Sequence, residues 1–577
     1  MKYLVSFMAM VVLNSLSIGA SSEKEVTIKL IETSDVHGNY FPYNFIERKD
    51  GKGGLAHVHT FVEEQRKQYG DNVILVDNGD ILQGQPIAYY YNYIDTVSKH
   101  VTADMMNFMG YDVANMGNHD VETGHAVYDR WVADCAFPVL GANIVRTDTG
   151  EPYLKPYQIL ERDGVRIAIL GMITPAIPAW LPERLWSGLR FEDLESSARK
   201  WVQVIREKEH PDVLVGLFHA GLDGADLDGM VENGSQAAAV NVPGFDVVLI
   251  GHDHARLNKK MLNVAGDSVL VIDPANAALQ PDAADSGKAG LADGKVVRKQ
   301  ISGQLTDVTA YPQSEVFLKA FQPAYQATLD FVSRKIGSIN ETITSKDTFF
   351  GPSAFIDLIH QLQLDLTGAD VSFCAPLSMY AEIKKGDIYV SDMFNLYKFE
   401  NMLYTMELTG KEIKNFLEMS YALWINQMKS PDDRLLLFSD DPENKYIFKN
   451  FSFNFDSAAG IIYTVDVTRP EGEKITIQSM ADGSPFQPEK VYKVAVNSYR
   501  GNGGGNLLTK GAGIPKVDLA KRIIFATDKD LRFYLMKRIE EVKVLDPKPL
   551  NQWKMIPEEW TVPAARRDYD FLFNRNK

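Results

Sequence analysis

From Val26 to about Leu305 the chain alternates short apolar runs with longer mixed segments. The runs Val26 to Ile31, Val73 to Val76, Val165 to Ile173, Val213 to Phe218 and Val247 to Ile250 are rich in Val and Ile and mostly continuous. Such runs predict strands buried on both faces, as in an α/β sheet covered by helices. Polar residues follow at once: Thr33-Ser34-Asp35, Asp77-Asn78-Gly79-Asp80, His219-Ala220-Gly221 and Gly251-His252-Asp253-His254. In open α/β sheets chemistry gathers at the carboxyl ends of strands, so these four loops are expected on one rim.

Further along, Gln280 to Gly294, with its Asp, Ala and Gly, reads as a surface loop. Helical spacing of Phe317, Phe321, Tyr325, Leu329 and Val332 predicts one connecting helix over Ser314 to Lys335. An α+β pattern follows: a helix over Ser353 to Leu366, then strands at Val371 to Phe373, Met402 to Leu408, Ile461 to Val467 and Val491 to Val496. The tail from Asp546 is rich in Pro, Trp and Arg and carries no readable pattern.

A chain of 577 residues exceeds what one core supports, so at least two domains are expected. Met1-Lys2, the apolar stretch Tyr3 to Leu13 and the small polar residues Ser15 to Ser22 follow the order of a secretory signal, with cleavage near Ala20. The division is then a leader over 1–20, an N-terminal domain over 24–310, a connecting helix and linker over 311–344, a second domain over 345–545 and a tail over 546–577. Past the leader no run is apolar for long enough to span a bilayer, so no stable membrane association is expected after cleavage. Cys135 and Cys374 lie far apart and are expected as free thiols.

A net charge of −16 argues against binding nucleic-acid duplexes or anionic membranes. An anionic substrate would need a local positive source, which metal ions supply. The loops hold suitable ligands. Asp35 and His37 alternate along what reads as an extended strand end and can turn to one face, as can His252 and His254. Asp80 follows Gly79, and a carboxylate with two oxygens can bridge two cations; Asn118 in Met-Gly-Asn-His-Asp offers an amide oxygen, and His219 ends a buried run. Mixed imidazole and carboxylate ligation suits zinc, manganese or iron. His57, His59, His100, His125, His210 and His360 lack such a setting and read as ordinary histidines.

The order Asp-x-His, Gly-Asp, Gly-Asn-His-Asp, His, Gly-His-x-His resembles the calcineurin-like metallophosphoesterases across the N-terminal half. That resemblance implies a four-layer α/β sandwich flanked by helices and two divalent metals. One would take Asp35, His37, Asp80 and His254, the other Asp80, Asn118, His219 and His252. Two such ions acidify a water and neutralise phosphoryl oxygens. His119 could then protonate the departing oxygen, given a carboxylate to orient it. Nucleotidase relatives usually place Asp three residues after this His; here Glu122 stands there and Asp120 directly follows the His, so either could serve.

Segments Ser353 to Ile359, Gly368 to Ser378, Phe399-Glu400-Asn401 with Leu408-Thr409-Gly410, and Val496 to Gly505 resemble the C-terminal domain of the bacterial 5'-nucleotidase and 2',3'-cyclic-nucleotide 2'-phosphodiesterase family. The resemblance implies nucleotide substrates, with Phe399 and Tyr499 stacking on the base and Asn401, Asn497, Gly503 and Gly504 beside them. The leader over 1–20 makes the expected enzyme a secreted one, in the periplasm. The usual Gly-Gly-Gly-Ile-Arg run of 5'-nucleotidases is replaced by Ala375-Pro376-Leu377-Ser378, and Asn497-Ser498-Tyr499-Arg500-Gly501 is closer to the cyclic phosphodiesterase pattern. The expectation is therefore a 2',3'-cyclic-nucleotide 2'-phosphodiesterase with 3'-nucleotidase activity, with 5'-nucleotidase and nucleotide-sugar hydrolase as alternatives. A non-catalytic nucleotide-binding protein on this scaffold would have lost a ligand or His119, and neither is lost.

Overall fold

A computed structural model describes residues 24–224, 226–227, 229–276, 282–292, 295–439 and 448–574, and the expected leader over 1–20 lies outside them. In the N-terminal half two sheets face one another. The first orders Lys295–Gln300, Asp282–Ala292, Lys24–Thr33, Val73–Asp77, Val113–Asn115 and Val139–Leu140. The second orders Arg256–Leu262, Ser268–Pro274, Val247–Ile250, Val213–His219, Val165–Ile173 and Tyr157–Arg162.

The period of two along each strand explains the continuous apolar runs. Val26, Ile28, Leu30, Ile74 and Val76 meet Ile167, Ile169, Val215, Leu217 and Leu249 between the sheets. The intervening Ile31 and Leu75 face a helical layer that includes Leu55–Tyr69, while Leu170, Leu214 and Phe218 face Leu194–Lys208 and Ser235–Asn241. Both faces of both sheets are thus covered, giving helix, sheet, sheet, helix.

Two expectations are corrected. Gln280 to Gly294 is not a loop: its described part, Asp282–Ala292, is a strand pairing antiparallel with both Lys24–Thr33 and Lys295–Gln300. Main-chain bonds on both sides override a composition that is poor in strand formers. Nor is Ser314 to Lys335 one helix. Glu315–Ala320 and Gln322–Val332 are separated at Phe321, because Pro323 opens the second helix and cannot continue the first. Lys335 already begins the strand Lys335–Ile339. Phe317, Ala324 and Val332 nevertheless pack into the N-terminal core.

The C-terminal half is built on a sheet ordered Ser457–Ala459, Val371–Cys374, Val491–Asn497, Met402–Thr409 and Ile523–Asp530, flanked by the helices Ala354–Thr367 and Gly410–Trp424. The chain beyond Asp546 belongs to this half. Trp553–Ile556 pairs parallel with Ile461–Asp466, and the helix Glu558–Phe573 follows. Its buried Asp568 accepts hydrogen bonds from the Leu435 and Leu436 amides and the Arg434 guanidinium. Among the described residues no helix is long and apolar enough to cross a membrane.

Candidate metal and substrate site

The strand ends of the two sheets bring the polar loops into contact. Asp35 N–H donates to Gly79 O, His219 Nδ1 donates to Asn78 O at 2.7 Å, and His252 N–H donates to Asp35 Oδ2 at 3.1 Å. Close approach requires glycine at two points, each one residue before an expected ligand. A Cβ on Gly117 would lie 2.3 Å from Asp80 N, and one on Gly251 2.1 Å from Ser34 Oγ. The expected alternation along extended strand ends is not what turns the ligands inward. Asp35, His37, Asp80, His252 and His254 all adopt left-handed backbone, with φ of 50°, 50°, 56°, 81° and 53°. That conformation is costly for residues other than glycine, and its concentration at five neighbouring positions marks a functional site. His252 and His254 consequently point into different groups instead of sharing a face.

Two ligand clusters result. Atoms of Asp35, His37 and His254 lie within 4.8 Å of one another, as do atoms of Asp80, His219 and His252. Asn118 Oδ1 and Asp80 Oδ2 each stand 3.1 Å from His219 Nε2, so Asn118 joins the second cluster. The backbone fixes the tautomers: His37 Nδ1 donates to Gln83 O and His219 Nδ1 to Asn78 O, leaving each Nε2 lone pair facing the cluster.

These residues fit divalent metal ions. Buried Asp35 Oδ1 has no hydrogen-bond donor. His37 Nε2 and His254 Nε2 face each other at 3.1 Å, a contact that a shared cation satisfies better than one hydrogen bond. Burial opposes charge throughout, yet His219 and His254 hold the Asp35 carboxyl at about 2, and Asp80 with Asp35 pushes the His219 imidazole up to about 10. A proton thus balances the carboxylates, and a cation can displace it.

His119 is the second residue of the short helix Asn118–Glu122, and its Nδ1 lies 2.6 Å from Glu122 Oε2. Asp120 is occupied elsewhere. Its two oxygens accept from the amides of Asp80, Ile81, Leu82 and Gly117, tying the two loops together. Burial lowers the His119 imidazole pKa, but Asp80 and Glu122 outweigh it and raise it to about 9.

A cavity of about 220 Å³ runs from Asn118, His119 and His252 to Phe399, Asn401, Asn497 and Tyr499, so both halves of the chain form it. Phe399 and Tyr499 are half-buried within it. Asn497 also caps the helix Ser498–Gly501 by accepting from Arg500 N–H at 2.8 Å. Gly503 and Gly504 are not in the wall. Gly503, at φ 98°, packs on Lys516, and Gly504 lies beneath Tyr499, where a Cβ would come within 2.5 Å of the ring. Arg500 is buried and scaffolds this loop, paired with Asp456 at 2.6 Å and donating to Phe453 O and Gly504 O.

Several residues around the ligands and the cavity escaped the sequence reading. Glu232 Oε1 lies 3.1 Å from His252 Nε2, and Asn276 Nδ2 3.0 Å from His254 Nδ1. Phe453 meets Tyr499 edge to face at 6.2 Å, and Trp180 lies 5.6 Å from the His252 ring. Asn276 follows the strand Ser268–Pro274 and obeys the strand-end rule that revealed the other loops. Glu232 had no comparable signal.

Comparison with known proteins gives two family matches: calcineurin-like phosphoesterase over residues 28–256 and 5'-nucleotidase, C-terminal domain, over residues 335–510. The trifunctional nucleotide phosphoesterase protein YfkN of Bacillus subtilis is 27% identical over 94% of this chain, which spans 40% of that protein's length. A 2',3'-cyclic-nucleotide 2'-phosphodiesterase/3'-nucleotidase of Yersinia enterocolitica is 25% identical over 94% of this chain and 90% of its own. The structure of a Staphylococcus aureus protein assigned to the 5'-nucleotidases aligns with a TM-score of 0.75 at 22% identity, covering 92% of this chain and 99% of that one.

Proposed function

Because the chain belongs to the calcineurin-like phosphoesterases that carry a 5'-nucleotidase C-terminal domain, and is thus a hydrolase of phosphate esters, we propose that it is a 2',3'-cyclic-nucleotide 2'-phosphodiesterase and 3'-nucleotidase. One observation carries the reading: a single cavity has Asn118, His119 and His252 at one end and Phe399 and Tyr499 at the other. A nucleotide spanning it sets its base between aromatic walls and its phosphate at the ligand clusters.

In this reading Asp35, His37, Asp80 and His254 hold one divalent ion and Asp80, Asn118, His219 and His252 the other. When bound, the ions supply Lewis-acid charge to the phosphoryl oxygens and a more acidic water. The chain's own residues do the rest. Glu122 fixes the His119 tautomer and favours its charged form. As the water oxygen bonds to phosphorus and the P–O bond to ribose breaks, the electron pair passes to the ribose oxygen, which takes the proton of His119. Stacking on Phe399 and Tyr499 holds the nucleoside so that the phosphate stays placed.

Among the described residues the cavity wall contains no Lys or Arg, and Leu377 of Ala375-Pro376-Leu377-Ser378 forms part of it. This favours the cyclic phosphodiesterase over a 5'-nucleotidase, which would lack its usual arginine here. The leader pattern over Met1 to Ser22 supports export to the periplasm. Assay of metal-reconstituted protein on 2',3'-cyclic AMP, 3'-AMP, 5'-AMP and a UDP-sugar tests the reading. Turnover of 5'-AMP well above the first two would replace it with the 5'-nucleotidase.

A further inference from the structure

The two ligand clusters are unequal in charge. Asp35 belongs to the first and Asp80 serves both in the reading above, so the second adds to Asp80 only Asn118, His219 and His252, which ligate as neutral groups. A divalent ion there keeps more uncompensated charge than its neighbour.

The outward nitrogens of the four histidines are unequal as well. His37 Nδ1 and His219 Nδ1 donate to the carbonyls of Gln83 and Asn78, and the Asn276 amide lies 3.0 Å from His254 Nδ1. His252 differs. Its Nε2 donates to Glu232 Oε1 at 3.1 Å, so among the described residues it is the one cluster histidine whose partner outside the clusters is a carboxylate. A carboxylate only accepts, which puts the hydrogen on Nε2 and the lone pair on Nδ1. Nδ1 is then the nitrogen that His252 offers an ion, whereas His37 and His219 offer Nε2.

The fold holds Glu232 in place for this contact. Thr174, fully buried directly after Val165–Ile173, donates through Oγ1 to Glu232 O at 2.8 Å and through N–H to His219 O. Asn233 Oδ1 accepts from Gly221 N–H at 2.9 Å, and Ser235 Oγ donates to Ala220 O at 2.8 Å. The segment carrying Glu232 is thus tied to the loop that follows ligand His219. Trp180 lies against the His252 ring with centroids 5.6 Å apart, and the side chains of His252 and Glu232 are only 12% and 26% exposed, so water screens the pair little.

Resting on the reading of the site as a two-metal phosphoesterase, we propose that Glu232 is a positioning residue for the second ion. Its carboxylate fixes the His252 tautomer and supplies, through the imidazole, the negative charge that this cluster lacks. A carboxylate behind a ligating imidazole makes it a stronger donor, and removing such a partner costs about 10- to 100-fold in metal affinity. The first ion, which has Asp35 directly, gains nothing from Glu232.

The test dialyses the zinc-loaded full chain against a graded series of chelator-buffered zinc and counts the zinc retained. The native protein should hold two ions. Glu232→Ala should release one of them at about 10- to 100-fold higher free zinc and keep the other as before. Glu232→Gln retains an acceptor for the Nε2 hydrogen without the charge, and should fall between. His254→Ala, which lacks a ligand of the first cluster, identifies the affected ion: adding Glu232→Ala to it should loosen the ion that remains. Turnover of p-nitrophenyl phosphate by Glu232→Ala should fall at limiting zinc and recover as zinc is raised, a rescue that a collapsed loop would not show. Fewer than two ions in the native protein overturns the proposal, as does native retention of both ions in Glu232→Ala, equal loosening of both, or Glu232→Gln matching the native protein. Native zinc retention with a raised KM for nucleotides would make Glu232 a substrate contact of the cavity instead. A native protein inert toward every phosphate ester but showing the zinc pattern would sink the phosphoesterase reading and leave the role of Glu232 standing.

Discussion

His119 and Glu122 stand one helical turn apart, and their side chains meet with Nδ1 2.6 Å from Oε2. The contact gives the imidazole a defined tautomer and a partner for its charged form, the two requirements of a general acid. His119→Asn should retain metal and lose about 10² to 10⁴ in kcat on 3'-AMP, whose ribose oxygen is a poor leaving group. p-Nitrophenyl phosphate should suffer much less, because its leaving group needs little protonation. Glu122→Gln should show the same selectivity at smaller amplitude. Equal losses on both esters would remove the pair from proton transfer.

Asp80 sits between the clusters, with Oδ1 accepting from His119 N–H at 2.7 Å and Oδ2 3.1 Å from His219 Nε2. If its carboxylate bridges two ions, Asp80→Ala lowers metal content at both positions and abolishes turnover. Elemental analysis of the purified variant decides: two tightly held ions per chain would refute bridging.

Glu400 joins the two halves of the molecule. Tyr93 donates to its Oε2 at 3.0 Å, and Arg532 lies 3.7 Å from Oε1. Burial raises its carboxyl pKa to about 7, with Arg532 opposing and Asp530 and Glu122 adding to the rise. The folded protein therefore holds this proton more tightly than the unfolded chain does. The contribution to stability is present at low pH and is lost as pH climbs from about 4.5 through 7, by at most about 3 kcal/mol. Glu400→Gln should flatten the Tm against pH curve across that window. An unchanged slope would show that Glu400 does not titrate there.

The ligand residues were legible because Asp, Asn and His directly follow apolar runs, and a sheet covered on both sides leaves strand ends as the place for polar chemistry. Their local geometry was not legible. Alternation predicted extended backbone at Asp35 and His37, whereas left-handed turns do the work. Asp282–Ala292 was hidden for a related reason: a strand paired on both sides draws its stability from main-chain ladders that leave no mark on composition. Glu232 was out of reach as well, because its contact with His252 depends on tertiary folding alone. Glu122 and Asp120 were indistinguishable in sequence, and only the placement of four amides on Asp120 separates their surroundings.

Gly504 offers a test of the aromatic wall that leaves every polar group in place. A Cβ there would lie 2.5 Å from the Tyr499 ring, so Gly504→Ala must push the ring or the loop aside. KM for nucleotides should rise several-fold, while p-nitrophenyl phosphate turnover and metal content stay near native values. A loss of both activities would point to collapse of the loop that Arg500 ties to Asp456.

The division of labour between the halves can be tested by removing both rings. Phe399 and Tyr499 come from the C-terminal half, the ligand clusters from the N-terminal half, and contacts such as Asn502 Nδ2 to Trp180 O at 3.4 Å join them across the cavity. Stacking on an aromatic ring is worth about 1 to 3 kcal/mol per base and is tolerant of base identity. If that energy places the phosphate as well as binding the base, kcat falls together with affinity. Phe399→Ala with Tyr499→Ala should then lower kcat/KM on 2',3'-cyclic AMP by about 10² or more. Purine and pyrimidine nucleotides should lose alike, and a small base-free ester should be nearly unaffected. Rate measurements on the three substrate types decide the matter. A parallel loss on the base-free ester would make the two rings structural supports of the cleft and remove the clamp from the mechanism.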